Sequence, residues 1–138
     1  MPARTLAALG IVIVAVLSSC SSAAPATARD ITVTMTDKEI ALSEANVPVG
    51  LVTFTVVNKG TTVHSLVILR TYLTHDKIPA DPSDASKVQE TGGIAATGQL
   101  AVGTSKQLSR QLAAGQYVLV CNEPAHYIVG MHTALVVK

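Results

Sequence analysis

The chain has 138 residues, room for one domain of ordinary size, with 14% charged and 49% hydrophobic residues. Ten Lys and Arg stand against nine Asp and Glu and form no basic stripe, which excludes nucleic acid as a partner. The one long apolar run, near the start, is too short and too weakly flanked for a stable membrane-spanning helix.

That run belongs to residues 1–19, where a lone Arg4 precedes apolar residues 6–17 and then small residues. The pattern is that of a secretory signal, so the domain is expected to be exported. Its end, Leu17-Ser18-Ser19-Cys20, resembles the bacterial lipobox, in which the Cys becomes the lipidated first residue. An ordinary soluble signal with an incidental Cys20 is the alternative. On the lipobox reading, Cys20 anchors the chain to the outer face of a membrane. Residues 20–29 are then the lipidated start and a small-residue linker, and 30–138 the domain. Removing 1–19 takes away Arg4 and leaves nine basic against nine acidic residues.

From residue 30 onward the elements read as strands. Ile31, Val33 and Met35 alternate with Thr32, Thr34 and Thr36, a strand with one wet face, Met35 being core. Residues 40–42 and 46–49 are short extended pieces. Residues 51–57 are rich in β-branched side chains and end at the turn signal Asn58-Lys59-Gly60. Residues 63–69 are apolar on both faces, with His64, Leu66 and Ile68 on one of them. Residues 70–100 contain two prolines, several Asp and Ser and a Gly-Gly pair, without a sustained period. They are expected to form an irregular excursion, with room for one short helix, and one this long is usually functional or mobile. Residues 106–112 alternate again, and 116–120 and 131–137 read as a buried final pair. Strands separated by turn signals predict an all-β, Greek-key β-sandwich. Tyr117, just after Gly115, resembles the tyrosine corner of such folds.

Between the last two strands lies Cys121-Asn122-Glu123-Pro124-Ala125-His126-Tyr127-Ile128-Val129-Gly130-Met131. A thiol, an imidazole and a thioether recur every five residues. On a helix such positions are about 140° apart, and on a strand they take opposite faces. They converge only if the chain bends, and Pro124 and Gly130 supply the bend. Thiolate and thioether together with imidazole select copper, and a trigonal site of that kind needs a second imidazole. Candidates are His64, His75 and His132. His75 sits beside Asp76 in the polar excursion, where a solvated ring is expected, and His132 should face away from Met131. The cysteine count agrees with a metal. With Cys20 lipidated, Cys121 is a lone thiol in an oxidising compartment, protected by ligation; a Cys20–Cys121 disulfide would tie the linker to the far end of the domain.

The Cys-x4-His-x4-Met bracket, the preceding Gly-Gln-Tyr-Val-Leu-Val and the distant His64-Ser65 resemble the cupredoxins. The loop spacing is most similar to rusticyanin-like and sulfocyanin-like members. The resemblance covers roughly residues 30–138 and implies one type 1 (blue) copper ion cycling between Cu(I) and Cu(II), held by His64, Cys121, His126 and an axial Met131. Many members have Asn after the first His; here it is Ser65, which can still donate one hydrogen bond around the ligands. The resemblance also implies electron exchange through the loop histidine, with Pro124, Tyr127 and their neighbours forming the surrounding patch. The expected function is a membrane-anchored electron carrier, monomeric, with an unidentified redox protein as partner and no turnover of its own. An exported copper store or donor using the same ligands is the alternative. A Cys121–His64 hydrolytic dyad lacks a nameable third group.

Overall fold

Alternating burial organises the first sheet. The computed structural model describes residues 28–138, and in β1 (Arg29–Met35) the inward side chains are Ile31, Val33 and Met35. After β2 (Ile40–Leu42) and β3 (Asn46–Val47), β4 (Gly50–Asn58) repeats the pattern with Val52, Phe54 and Val56 fully buried. β4 runs parallel to β1 and antiparallel to β7 (Ser105–Leu112), giving the order β2-β1-β4-β7. Burying each of the larger apolar side chains contributes about 1.5–3 kcal/mol.

The second sheet is built differently. It contains β5 (Leu66–Arg70), β6 (Gly93–Ala96), β8 (Gly115–Cys121) and β9 (His132–Val137), in the order β3-β9-β8-β5-β6. Leu66, Ile68, Leu119, Cys121 and Leu135 turn inward to the core shared with Phe54. Val67, Leu69, Val118 and Val120 face the other way and are buried against Ile78, Val88 and Tyr127. The excursion therefore lies over the outer face of this sheet, which is why residues 66–69 can be apolar on both sides. The result is an all-β sandwich of two mixed sheets. Tyr117 makes the expected corner, its hydroxyl donating to the Ala113 carbonyl at 2.9 Å.

Three boundaries differ from expectation. The strand read over 63–69 starts at Leu66; His64 instead forms an isolated bridge with Leu100. The strand read from Met131 starts at His132, leaving Met131 at the end of the loop. The excursion has no α-helix, and its 93–96 stretch pairs with β5 as β6, with a bulge between Ile68 and Leu69.

Candidate metal centre

The Cys121–Met131 loop closes through its own backbone. His126 N–H donates to the Glu123 carbonyl at 3.1 Å, and Ala125 has φ 65°. Pro at the second position and a left-handed third residue are the marks of a type II turn. An alanine there costs about 1 kcal/mol relative to a right-handed conformation. It is held partly by its N–H donating to the Ser86 carbonyl at 2.7 Å. One turn of 3-10 helix, Tyr127–Val129, follows and stops at Gly130, whose φ of 108° suits glycine. Met131 N–H then donates to the His126 carbonyl at 3.2 Å, and Cys121 N–H to the Met131 carbonyl at 3.0 Å. The three residues five apart are thus tied to one another by main-chain bonds.

The side chains meet His64 at the end of the sandwich. Cys121 Sγ lies 3.4 Å from His126 Nδ1 and 3.7 Å from His64 Nδ1, and the two Nδ1 atoms are 3.1 Å apart. Cys121, His64 and Met131 are fully buried, and His126 is partly exposed. Met131 belongs to the same core cluster as Cys121. Among the described residues this is the one group of three His, Cys or carboxylate side chains that could hold an ion. Ser65 contributes through its backbone: its N–H points at Cys121 Sγ at 3.4 Å, and its carbonyl accepts from Asn122 N–H at 2.9 Å. The tie between the two ligand-bearing segments is therefore made by main chain.

His64 is positioned by residues that read only as turn formers in the sequence. The fully buried Asn58 amide donates to the carbonyls of Thr62 and Leu100 and accepts from Gly60 N–H. Leu100 in turn exchanges both backbone bonds with His64, at 2.7 and 3.2 Å. On the far edge of the imidazole, Asp37 Oδ1 stands 3.3 Å from Nε2. The approach is oblique, so Nε2 makes no well-directed hydrogen bond and the contact is electrostatic. A Cβ at Gly60 would collide with both Asp37 Oδ1 and His64 Nε2. Side-chain and backbone hydrogen bonds from Thr61, then Thr62, lower the Asp37 pKa to about 2, so this edge carries negative charge at neutral pH.

Burial, helped by the nearby His126 charge and opposed by Asp37, lowers the His64 pKa and keeps the ring neutral. Burial raises the Cys121 pKa, with the amides of Glu123 and Ser65 acting the other way. An isolated thiol in this place stays protonated; a cation is needed to hold it as thiolate. Two imidazole nitrogens and one sulfur, converging at a largely buried site, are the donors that select copper.

The comparisons agree. The family model for the cupredoxin-like domain matches residues 8–137. The chain belongs to the cupredoxin-like family. Reduced rusticyanin superposes with a TM-score of 0.63 and 21% identity, over 82% of this chain and 81% of its own. Rusticyanin from Thiobacillus ferrooxidans gives 0.64 and 19% identity, over 82% and 79%. Dithionite-reduced auracyanin from the photosynthetic bacterium Roseiflexus castenholzii gives 0.55 and 27% identity, over 82% and 98%. No curated protein matches in sequence. The family's cofactor is a single copper ion, and the His-Cys-His cluster offers donors that fit it.

The other sequence candidates fall elsewhere. His75 and His132 lie apart from the cluster, paired with each other through Nδ1 atoms 2.7 Å apart. His75 is thus half-buried and partnered where a solvated ring was expected. Tyr127 does not line the surface around His126. It is 8% exposed, its hydroxyl accepting from Ile78 N–H at 2.9 Å and donating to the His75 carbonyl at 2.8 Å. Pro124 and Ala125 are exposed, and Ile128 and Val129 supply the apolar area there, at 75% and 56% exposure. Cys20 lies outside the described residues. The contributions of Asp37, Asn58 and Asn122 have no periodic signal in the sequence.

Proposed function

We propose that this cupredoxin is an electron carrier, tethered by a lipid on Cys20 to the outer face of a membrane, with a type 1 copper ion held by His64, Cys121, His126 and Met131. The observation that carries the proposal is the convergence, within 3.7 Å of one another, of the buried Cys121 sulfur and the His126 Nδ1 of a loop closed by its own backbone with the Nδ1 of His64 from a separate segment. Copper, when bound, would supply one-electron exchange between its two oxidation states. Cys121 would give the strong thiolate ligand, His64 and His126 their imidazole nitrogens, and Met131 a weak thioether donor that adjusts potential.

The chain's own part is to keep these groups in place. Ser65 N–H and the Glu123 amide stabilise charge on the sulfur, Asp37 holds negative charge beside His64, and Asn58 fixes the His64 segment. His126 is the ligand whose ring reaches solvent, and exposed Pro124, Ala125, Ile128 and Val129 border it. A redox partner would dock on this uncharged patch and exchange electrons through the ring edge. The neighbours support the reading, since rusticyanin is a copper protein. Such a carrier performs no turnover alone and works as a monomer.

A copper donor would use the same ligands but release the ion. Stopped-flow exchange with a small redox partner, beside a challenge of the reduced protein with a copper(I) chelator, separates the two. Fast reversible exchange with copper retained in both states is expected. Rapid stripping with sluggish exchange would replace the carrier by the donor.

A further inference from the structure

The excursion brings a second pair of imidazoles together, outside the copper cluster. His75 follows β5 in the excursion and His132 opens β9, where it pairs with Val120 of β8. Their Nδ1 atoms are 2.7 Å apart and their ring centroids 4.9 Å. Both residues are partly exposed, so water reaches the pair. Both are also held from behind by Tyr127, whose ring lies 4.7 Å from that of His132 and whose hydroxyl donates to the His75 carbonyl. Two preorganised imidazoles at this separation either share one N–H···N hydrogen bond or aim two lone pairs at one cation.

The spacing discriminates among cations. With metal–nitrogen bonds of about 2.0 Å, neighbouring positions of a square-planar ion place two nitrogens about 2.8 Å apart, and tetrahedral positions about 3.3 Å. The observed 2.7 Å is compatible with the first, the geometry of copper(II), as it is with an N–H···N hydrogen bond.

We propose that His75 and His132 form a second metal site, which takes copper(II) through its two Nδ1 atoms with water in the remaining positions. The donor set lacks a thiolate, so the bound ion is tetragonal and pale, and its electron paramagnetic resonance differs from that of a thiolate-bound ion. The proposal does not depend on the function assigned to the first site.

The test is a copper(II) titration of the wild-type chain beside His75→Ala and His132→Gln, read by electron paramagnetic resonance and by bound metal after desalting. Wild type is expected to hold one equivalent more than either variant, with a tetragonal signal absent from both. Equal stoichiometry in all three proteins would overturn the proposal and leave the pair as a hydrogen bond. A reading without variants guards against misfolding: with the first site held as diamagnetic copper(I), the ring resonances of His75 and His132 in wild-type protein should broaden with one added equivalent of copper(II). Sharp, unshifted ring signals at that point would also overturn it.

Discussion

Asp37 is the residue through which the surroundings of copper are most directly adjustable. Its carboxylate reaches the buried edge of His64 because Gly60 has no side chain, and Thr61 and Thr62 keep it ionised. A negative charge behind a metal-binding imidazole strengthens it as a donor and favours the more highly charged ion. Asp37→Asn should therefore raise the reduction potential and weaken copper(II) retention by about tenfold, the low end for partners of metal ligands. Voltammetry together with competition against a copper(II) chelator measures both; an unchanged potential would show that the carboxylate is electrically irrelevant to the site. Met131 should behave differently. Met131→Gln should keep a coloured site and lower its potential, whereas loss of copper with the fold intact would make Met131 more than an axial tuner.

At the scale of elements, the second sheet and the ligand loop are held by the excursion. Asn122 exchanges hydrogen bonds with Val88 and reaches Glu90, Ala125 is anchored on Ser86, and Tyr127 clamps Ile78 and His75. Tyr127→Phe keeps the ring but strands the Ile78 N–H and the His75 carbonyl, and should destabilise the domain by about 1–3 kcal/mol in urea unfolding. A change within a few tenths of a kcal/mol would mean that water replaces the hydroxyl there. The strands themselves were legible: period-two alternation in β1 and β4 marks which side chains meet the core, whereas in β7 only Leu108 and Leu112 turn inward. So were Cys121, His126 and Met131, because equal spacing around Pro124 and Gly130 is a pattern in one stretch of chain. The excursion was not. Loops have no period, so nothing local says that Tyr127 turns inward, that Gly93–Ala96 pairs as a strand, or that Asn58 fixes His64 across 42 residues to Leu100. Those facts depend on which segment covers which, and that is decided only when the sandwich assembles.

For the molecule as a whole, the copper end and the proposed membrane end lie on different parts of the chain. The export signal and lipobox are read from residues 1–20, outside the described structure, and among the described residues no helix is long and apolar enough to cross a membrane. An acyl chain contributes about 0.8 kcal/mol per buried methylene, so more than one on Cys20 should hold the domain firmly. Cell fractionation should place wild type with membranes and show Cys20→Ala released or unprocessed; wild type found wholly in the soluble fraction would remove the anchor. The copper end carries the central claim, that a single buried sulfur between two imidazoles makes this chain a blue-copper carrier. The visible absorption spectrum of the copper-loaded protein tests it most directly, because a thiolate–copper(II) bond absorbs intensely and the other ligands do not. A strong visible band in wild type, abolished in Cys121→Ser, is the expected result; a copper-loaded wild type without that band would contradict the ligand set and the function built on it.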